Sequence, residues 1–385
     1  MPRFYFDHNA TTPVCPEALT AFNTASAEVY GNASSVHRDG QRARQVLEES
    51  RAKICALLHC QPKELVFTSG GTESDNLAIL GAVRADSRSR KHVVTSAIEH
   101  PAVLNACAQL EREGVEVSYV MPDRRGLIDP GAISRLLGPN TILVSVMHAN
   151  NETGVIQPIA EIGRIAREAG ALFHSDGVQA AGRVPVSMPE LNADLYSLSA
   201  HKFYAPKGTG ALFVRTGVEL LPLQFGGRHE RNRRAGTENV PGAAAMAAAA
   251  SLSESMSGSD QTASLRDRFE QAVLDRVPSV AINGAGAPRV PNTSSLCFDG
   301  IDGEAMVIAL DLKGFAVSTG SACSSGAVEP SHVLTAMGLT PERAKASIRF
   351  SFGRANTQEQ VDALIDGVVA AAAHLRRLSP TYAGV

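Results

Sequence analysis

Phe173-His174-Ser175-Asp176-Gly177-Val178-Gln179 and Ser199-Ala200-His201-Lys202 place a carboxylate and a lysine at the ends of two successive apolar stretches. A lysine can hold an aldehyde as a Schiff base, and a carboxylate can keep a pyridine nitrogen protonated. The pair therefore suits pyridoxal phosphate working as an electron sink. A plainer reading stands beside it, in which Asp176 next to Gly177 shapes a turn and Lys202 is a solvated loop lysine. Glu99-His100-Pro101 follows a third apolar stretch. A histidine before proline is most often structural, but on one edge with Asp176 and Lys202 its imidazole could stack on a flat cofactor and relay protons.

Two segments offer anion chemistry. In Thr68-Ser69-Gly70-Gly71-Thr72-Glu73 a strand meets a glycine turn and then a helix that Thr72 can cap, with Asp75 three residues on. Free backbone N–H groups and the positive end of a helix make an anion site at such a junction, although a Gly-Gly turn is often only a turn. The basic run Arg228-His229-Glu230-Arg231-Asn232-Arg233-Arg234 reads either as a solvated loop or as the lining of an anionic site built across a subunit boundary. Lys207 lacks the spacing of a phosphate loop and reads as a turn residue.

The elements that must position these groups alternate from about residue 40 to about 215. Helical patterns cover 41–58, 73 onward, 102–112 and 159–169, and strand-like stretches lie at 65–67, 93–97, 116–120, 142–146, 171–175, 194–198 and 211–214. Such alternation predicts a mostly parallel sheet covered by helices, with ligands bound at the strands' carboxyl ends. The alanine-rich run 243–250 reads as a close-packed helix. Serine-rich 253–264 reads as a boundary, after which a helix over 265–274, strands at 294–298 and 347–352 and a helix from Glu304 form an α+β unit.

Composition narrows the class. The chain has 385 residues, long for one core, and 36 basic against 39 acidic residues, so no global basic field points to nucleic acid. The N-terminus lacks a signal peptide's apolar core and no apolar run approaches membrane-spanning length, so a cytoplasmic protein is expected. Six cysteines, at 15, 55, 60, 107, 297 and 323, include no C-x-x-C pair, so neither a metal site nor a disulfide framework is indicated. Cys55 and Cys107 fall among helical apolar positions and read as core. Cys323, between Gly320-Ser321-Ala322 and Ser324-Ser325-Gly326, reads as exposed and mobile.

Asp7-His8-Asn9-Ala10-Thr11-Thr12, the 68–76 segment, His148-Ala149-Asn150-Asn151-Glu152-Thr153-Gly154, Ser199-Ala200-His201-Lys202, Arg234-Ala235-Gly236-Thr237 and the Cys323 segment, in that order, resemble a cysteine desulfurase of the NifS/IscS group over 4–354. The resemblance implies a class V aminotransferase-like, fold-type I pyridoxal phosphate enzyme. Its α/β fold would have a mainly parallel seven-stranded sheet flanked by helices and a smaller α+β domain. Residues 16–255 would form the large domain, and 1–15 with 256–385 the small one carrying the cysteine loop at about 318–332. By the same resemblance Lys202 is the Schiff-base lysine, Asp176 the partner of the ring nitrogen, Gln179 the donor to the ring's phenolic oxygen and His100 the stacking histidine. Gly71, Thr72, Ser199 and His201 hold the phosphate, and Thr237 reaches the phosphate of the neighbouring subunit of a homodimer. Asn151 and Arg354 position L-cysteine, Arg354 by its carboxylate, and Cys323 accepts the sulfur as a persulfide for an iron–sulfur scaffold or another sulfur-acceptor protein. Ala33 stands where many relatives have proline, the long 321–332 stretch is like that of the group whose active cysteine lies on an extended loop rather than the shorter one of selenocysteine-preferring relatives, and the Thr237-Glu238-Asn239-Val240 wording leans to the NifS side. An aminotransferase or selenocysteine lyase would share Lys202 and Asp176 without depending on Cys323, and a non-enzymatic sulfur-carrier or scaffold subunit would use the cysteine loop only for contact.

Overall fold

A computed structural model describes residues 3–256, 260–320 and 329–378. The central sheet has seven strands in the spatial order Leu65–Thr68, Gly210–Val214, Leu195–Ser199, Leu172–Asp176, Thr141–Ser145, His92–Ser96, Glu116–Val120. Only Gly210–Val214 runs antiparallel to its neighbours. Leu65–Thr68, His92–Ser96, Thr141–Ser145, Leu195–Ser199 and Gly210–Val214 are buried along their whole length, as expected of strands covered on both faces. The strand ends lie within about two residues of those read from the sequence, and the α/β class is as expected.

Strand His92–Ser96 pairs with Glu116–Val120 on one side and Thr141–Ser145 on the other, so successive crossovers leave it in opposite directions. The crevice beyond its carboxyl end, where His100 begins helix Pro101–Arg112, is the usual ligand position in open α/β sheets. The alanine-rich run lies in helix Val240–Met256. Its small side chains let helices Pro16–Glu28 and Arg38–Leu58 pack closely against it, and Ala243, Ala245, Ala247, Ala249 and Ala250 are all buried.

A second apolar core is built on an antiparallel sheet of Val280–Ile282, Thr293–Phe298 and Ser347–Ser351. Phe269, Leu296, Phe298, Ile348, Phe350 and Phe352 fill it, joined from the far end of the chain by Phe6. The described residues on either side of the expected boundary are helical. Helix Val240–Met256 runs through Ser253, whose buried hydroxyl accepts from Arg354 Nη2 at 2.9 Å, and the next helix, Asp260–Arg276, starts five residues before the expected position.

Within the basic run, Glu230 turns inward. Its carboxylate takes a bidentate pair from Arg51 at 2.8 and 2.9 Å, and its Oε2 also accepts from Phe67 N at 2.9 Å. Both side chains are 3% exposed, so the pair works in a low dielectric and its hydrogen-bond geometry must be nearly complete. It holds Glu230, Arg231 and Asn232 in left-handed backbone conformations, with φ of 43°, 55° and 64°, each costing about 1–2 kcal/mol without glycine. Removing one partner leaves the other charged and buried. Arg51→Leu and Glu230→Leu are each expected to cost about 3–5 kcal/mol in urea unfolding, and the double variant clearly less than the sum. Additive losses would show that the two side chains act independently.

Candidate active site

The carboxyl ends of the parallel strands open into a cavity of about 850 Å³ lined by Gly71, Thr72, His100, Asn151, Asp176, Gln179, Ser199, His201 and Lys202. Nine residues singled out from the sequence are thus brought together, because each stands at or just beyond a strand end. Asp176 closes strand Leu172–Asp176, Ser199 closes Leu195–Ser199, and Lys202 sits one short turn further on. Gly177 has to be glycine, since a Cβ there would lie 2.0 Å from the Tyr196 ring. Tyr196 in turn is held under the site by a 2.8 Å hydrogen bond between its hydroxyl and His148 Nδ1.

The anion site forms differently from the capping expected of Thr72. Helix Gly71–Ala85 is preceded by Gly70, at φ 157° and ψ −176°, and no side chain caps it. Glu73 Oε2 accepts from Ser69 N at 2.7 Å instead, which leaves Thr72 exposed on the cavity wall. At Gly71 a Cβ would fall 2.8 Å from Val178 Cγ2, so glycine lets the start of the helix press against the end of the sheet. Arg234, from the basic run, ties to this corner by donating to Glu73 at 2.9 Å. Lys207, read as a turn residue, lines the cavity as well.

The N-terminal arm supplies what no motif announced. Lys202 Nζ donates to the carbonyls of Asn9 at 2.6 Å and Ala10 at 2.9 Å, and Gln179 Nε2 donates to Asn9 O at 3.0 Å. His201 Nδ1 meets Thr11 Oγ1 at 3.1 Å. Burial lowers the Lys202 pKa to about 7, and the Arg183 and Arg349 guanidinium groups push it the same way. Burial raises Asp176 to about 7 and Asp75 adds to the rise, with His100 and His174 opposing. Partial desolvation lowers His100, whose Nδ1 accepts from Ala102 N at 3.1 Å.

Arg354 does not join this group. Besides its bond to Ser253, its guanidinium lies 4.4 Å from the Tyr204 ring centre, and it lines a second, smaller cavity with His8 and Tyr204. The arginine in the main cavity is Arg349. It donates to Asn151 O at 3.0 Å and Asp7 Oδ1 at 2.8 Å, and its buried Nε has no protein partner. The strand phase is the signal that identifies it. Ile348 and Phe350 enter the second core, so Arg349 between them must face the other way. Thr237 is exposed and lies outside the cavity lining, and Cys323 lies outside the described residues. No cluster of three or more metal-ligating side chains occurs among the described residues.

The residues present fit pyridoxal phosphate. The glycine cradle at Gly71 leaves backbone N–H groups for a phosphate, the half-buried lysine has its pKa lowered to about 7, and the buried Asp176 calls for a cationic N–H beside it. The sheet and this crevice define a class V aminotransferase, and the family model described as aminotransferase class-V matches residues 4–364. The cysteine desulfurase of Gluconacetobacter diazotrophicus is 46% identical in an alignment covering 100% of this chain and 97% of that protein. A solved NifS-like protein superposes with a TM-score of 0.91 at 35% identity, covering 97% of this chain and 100% of its own. The structure described as SspA in complex with cysteine does so with a TM-score of 0.82 at 33% identity, covering 90% and 98%. The chain belongs to the cysteine desulfurase family of class V aminotransferases, which are pyridoxal phosphate enzymes.

Asp75, Asp176 and Glu99 are buried with pKa values raised to about 7, about 7 and about 8, desolvation being the main cause in each. They stay protonated in the folded chain where the unfolded chain has already ionised. The stability they confer is therefore full below about pH 4 and is lost as pH rises through about 7 to 8. Lys202, with its pKa lowered, works in the opposite sense and offsets part of this loss only above about pH 7. In the cofactor-free protein the melting temperature, followed by circular dichroism, is expected to fall from about pH 5 to about pH 8, and Asp75→Asn to flatten that fall. Equal slopes for the two proteins would remove Asp75 from this account.

Proposed function

We propose that the protein removes sulfur from L-cysteine, releasing L-alanine and leaving a persulfide on Cys323. The observation that carries this reading is the half-buried Lys202 lining one cavity with Asp176 and Arg349, in a chain of the cysteine desulfurase family. When bound, pyridoxal phosphate supplies an electron sink for the carbon that bears the substrate's amino group.

Gly71, Thr72, Ser199 and His201 would hold its phosphate, Gln179 its phenolic oxygen and Asp176 its ring nitrogen, with His100 against the ring face. Lys202, whose pKa is lowered to about 7 by burial and the neighbouring guanidinium groups, takes the α-proton. Arg349 replaces Arg354 as the group that grips the substrate carboxylate, because it lines the cavity and its buried Nε has no protein partner, and Asn151 lies beside it. Cys323, as a thiolate, attacks the substrate's sulfur. A sulfur–sulfur bond forms on Cys323 as the Cβ–S bond breaks, and the carbon skeleton leaves as alanine.

The exposure of Thr237 outside its own cavity supports its reaching the site of a second copy in a homodimer. The two apolar cores support a large domain over 16–255 and a small one over 1–15 and 256–385. An iron–sulfur scaffold or another acceptor protein would take the persulfide sulfur, and a cytoplasmic setting fits a chain in which no described helix is long and apolar enough to cross a membrane.

The enzyme loaded with cofactor is expected to convert L-cysteine to alanine and persulfide sulfur in equal amounts. Cys323→Ser should bind L-cysteine with an unchanged spectral response yet transfer no sulfur. Undiminished sulfide release from that variant, with reductant present, would rule out Cys323 as acceptor. For the two arginines, Arg349→Ala is expected to raise KM for L-cysteine roughly 10- to 100-fold, the loss of a charge-assisted pair, while Arg354→Ala leaves KM near wild type. The reverse pattern would restore Arg354 to the substrate.

A further inference from the structure

Helix Arg38–Leu58 ends by bringing two cysteines together. His59 takes the left-handed conformation at φ 52° and ψ 48° and donates to Ala56 O at 3.2 Å, while Cys60 N donates to Cys55 O at 3.0 Å. This pair of nested bonds is a Schellman closure, in which the side chains at its two ends meet. In a helix that simply continued, residues five apart would point about 140° away from each other. The left-handed turn at His59 folds Cys60 back onto Cys55, and their thiols hydrogen-bond.

Their environments divide the work. Cys55 is 2% exposed, within the main apolar core beside Ile54 and Leu58, whereas Cys60 is half-buried at its margin. The hydrogen bond from the Cys60 thiol holds Cys55 below its ordinary pKa against the opposing effect of burial, and the Arg51 and Arg231 charges help while Glu64 opposes. The same bond raises Cys60, so the accessible thiol is the less acidic of the two and the more acidic one lies where reagents in solution do not reach.

We propose that Cys55 and Cys60 are a redox site that closes to a disulfide by exchange with a low-molecular-weight disulfide. A proton passes along the hydrogen bond from Cys60 to Cys55, and the Cys60 thiolate attacks one sulfur of the reagent. A mixed disulfide forms on Cys60 and one reagent thiolate leaves. That thiolate is protonated from water, Cys55 loses its proton to the hydroxide so formed, and its sulfur then attacks Cys60 Sγ and expels the second reagent thiolate, likewise protonated from water. Two protein thiols are oxidised and one reagent disulfide is reduced to two thiols. The site is independent of Cys323, and it staples the end of helix Arg38–Leu58 to the chain leading into strand Leu65–Thr68 and the glycine cradle.

Trypsin cleavage after Lys53 and Lys63 yields a peptide, 54–63, that holds both cysteines and no other, so chemistry at Cys323 does not register in it. The holoenzyme is incubated with oxidised glutathione, its remaining thiols are capped with N-ethylmaleimide, and this peptide is weighed. The expected peptide lacks both caps, is two hydrogens lighter than the reduced form and regains them with dithiothreitol. Cys55→Ser should stop at glutathione on Cys60, and Cys60→Ser should leave Cys55 free of glutathione, each variant keeping the wild-type circular dichroism spectrum. A wild-type peptide that carries two caps, or a lasting glutathione adduct on Cys60, overturns the proposal.

Discussion

Lys202 lines both cavities and has a guanidinium group beside it in each, Arg349 in the larger and Arg183 in the smaller, and the rest of the site is arranged around that fact. Burial, aided by the charges of Arg183 and Arg349, brings the Lys202 pKa down to about 7, and burial brings Arg183 down to about 10. Their partners are mostly neutral: the carbonyls of His8, Asn9, Ala10 and Asn151, with Asp7 as the carboxylate bound to Arg349. Such a site favours anions, and it also yields a lysine that is a nucleophile rather than a charge. Both properties come from one arrangement of burial and like charge.

The carboxylates beneath the cavity show the complementary effect. Asp75, Asp176 and Glu99 are too deeply buried and too close to one another to ionise together. His174 stays among them without becoming a counter-ion. Burial lowers it to about 4, and its two nitrogens are engaged by Ser145 Oγ at 2.8 Å and Ser197 Oγ at 3.0 Å. A cationic group entering above Asp176 would therefore decide which of the three carboxyls carries charge.

Much of this was legible in the sequence, for identifiable reasons. Alternating apolar stretches locate strand ends to within about two residues, and ligand-facing residues in an open sheet are those at strand ends, so Asp176, Ser199, Lys202 and His100 converge. Arg349 lies inside strand Ser347–Ser351 and Arg354 three residues beyond its end, and the strand's phase singles out Arg349 once Ile348 and Phe350 are assigned to a core. The grip of Asn9 and Ala10 on Lys202 uses backbone carbonyls, which every residue type has, so no pattern of side chains announces it. The inward turn of Glu230 was hidden in the same way, since a lone acid in a basic run looks like local charge balance until its distant partner Arg51 is known.

The N-terminal arm has a consequence for how the protein is made. Asn9 reaches Lys202 only because it is tethered on its other side, by Ser351 Oγ to its amide at 2.9 Å and by its own Nδ2 to Thr293 Oγ1 at 2.9 Å. A ribosome delivers residues 9 and 202 long before residue 351, so the sheet and its lysine can be in place while the roof of the site still waits for the last strand. Maturation of the site is in that sense a C-terminal event, and a chain cut short before Ser347–Ser351 would keep its sheet and lose its pocket.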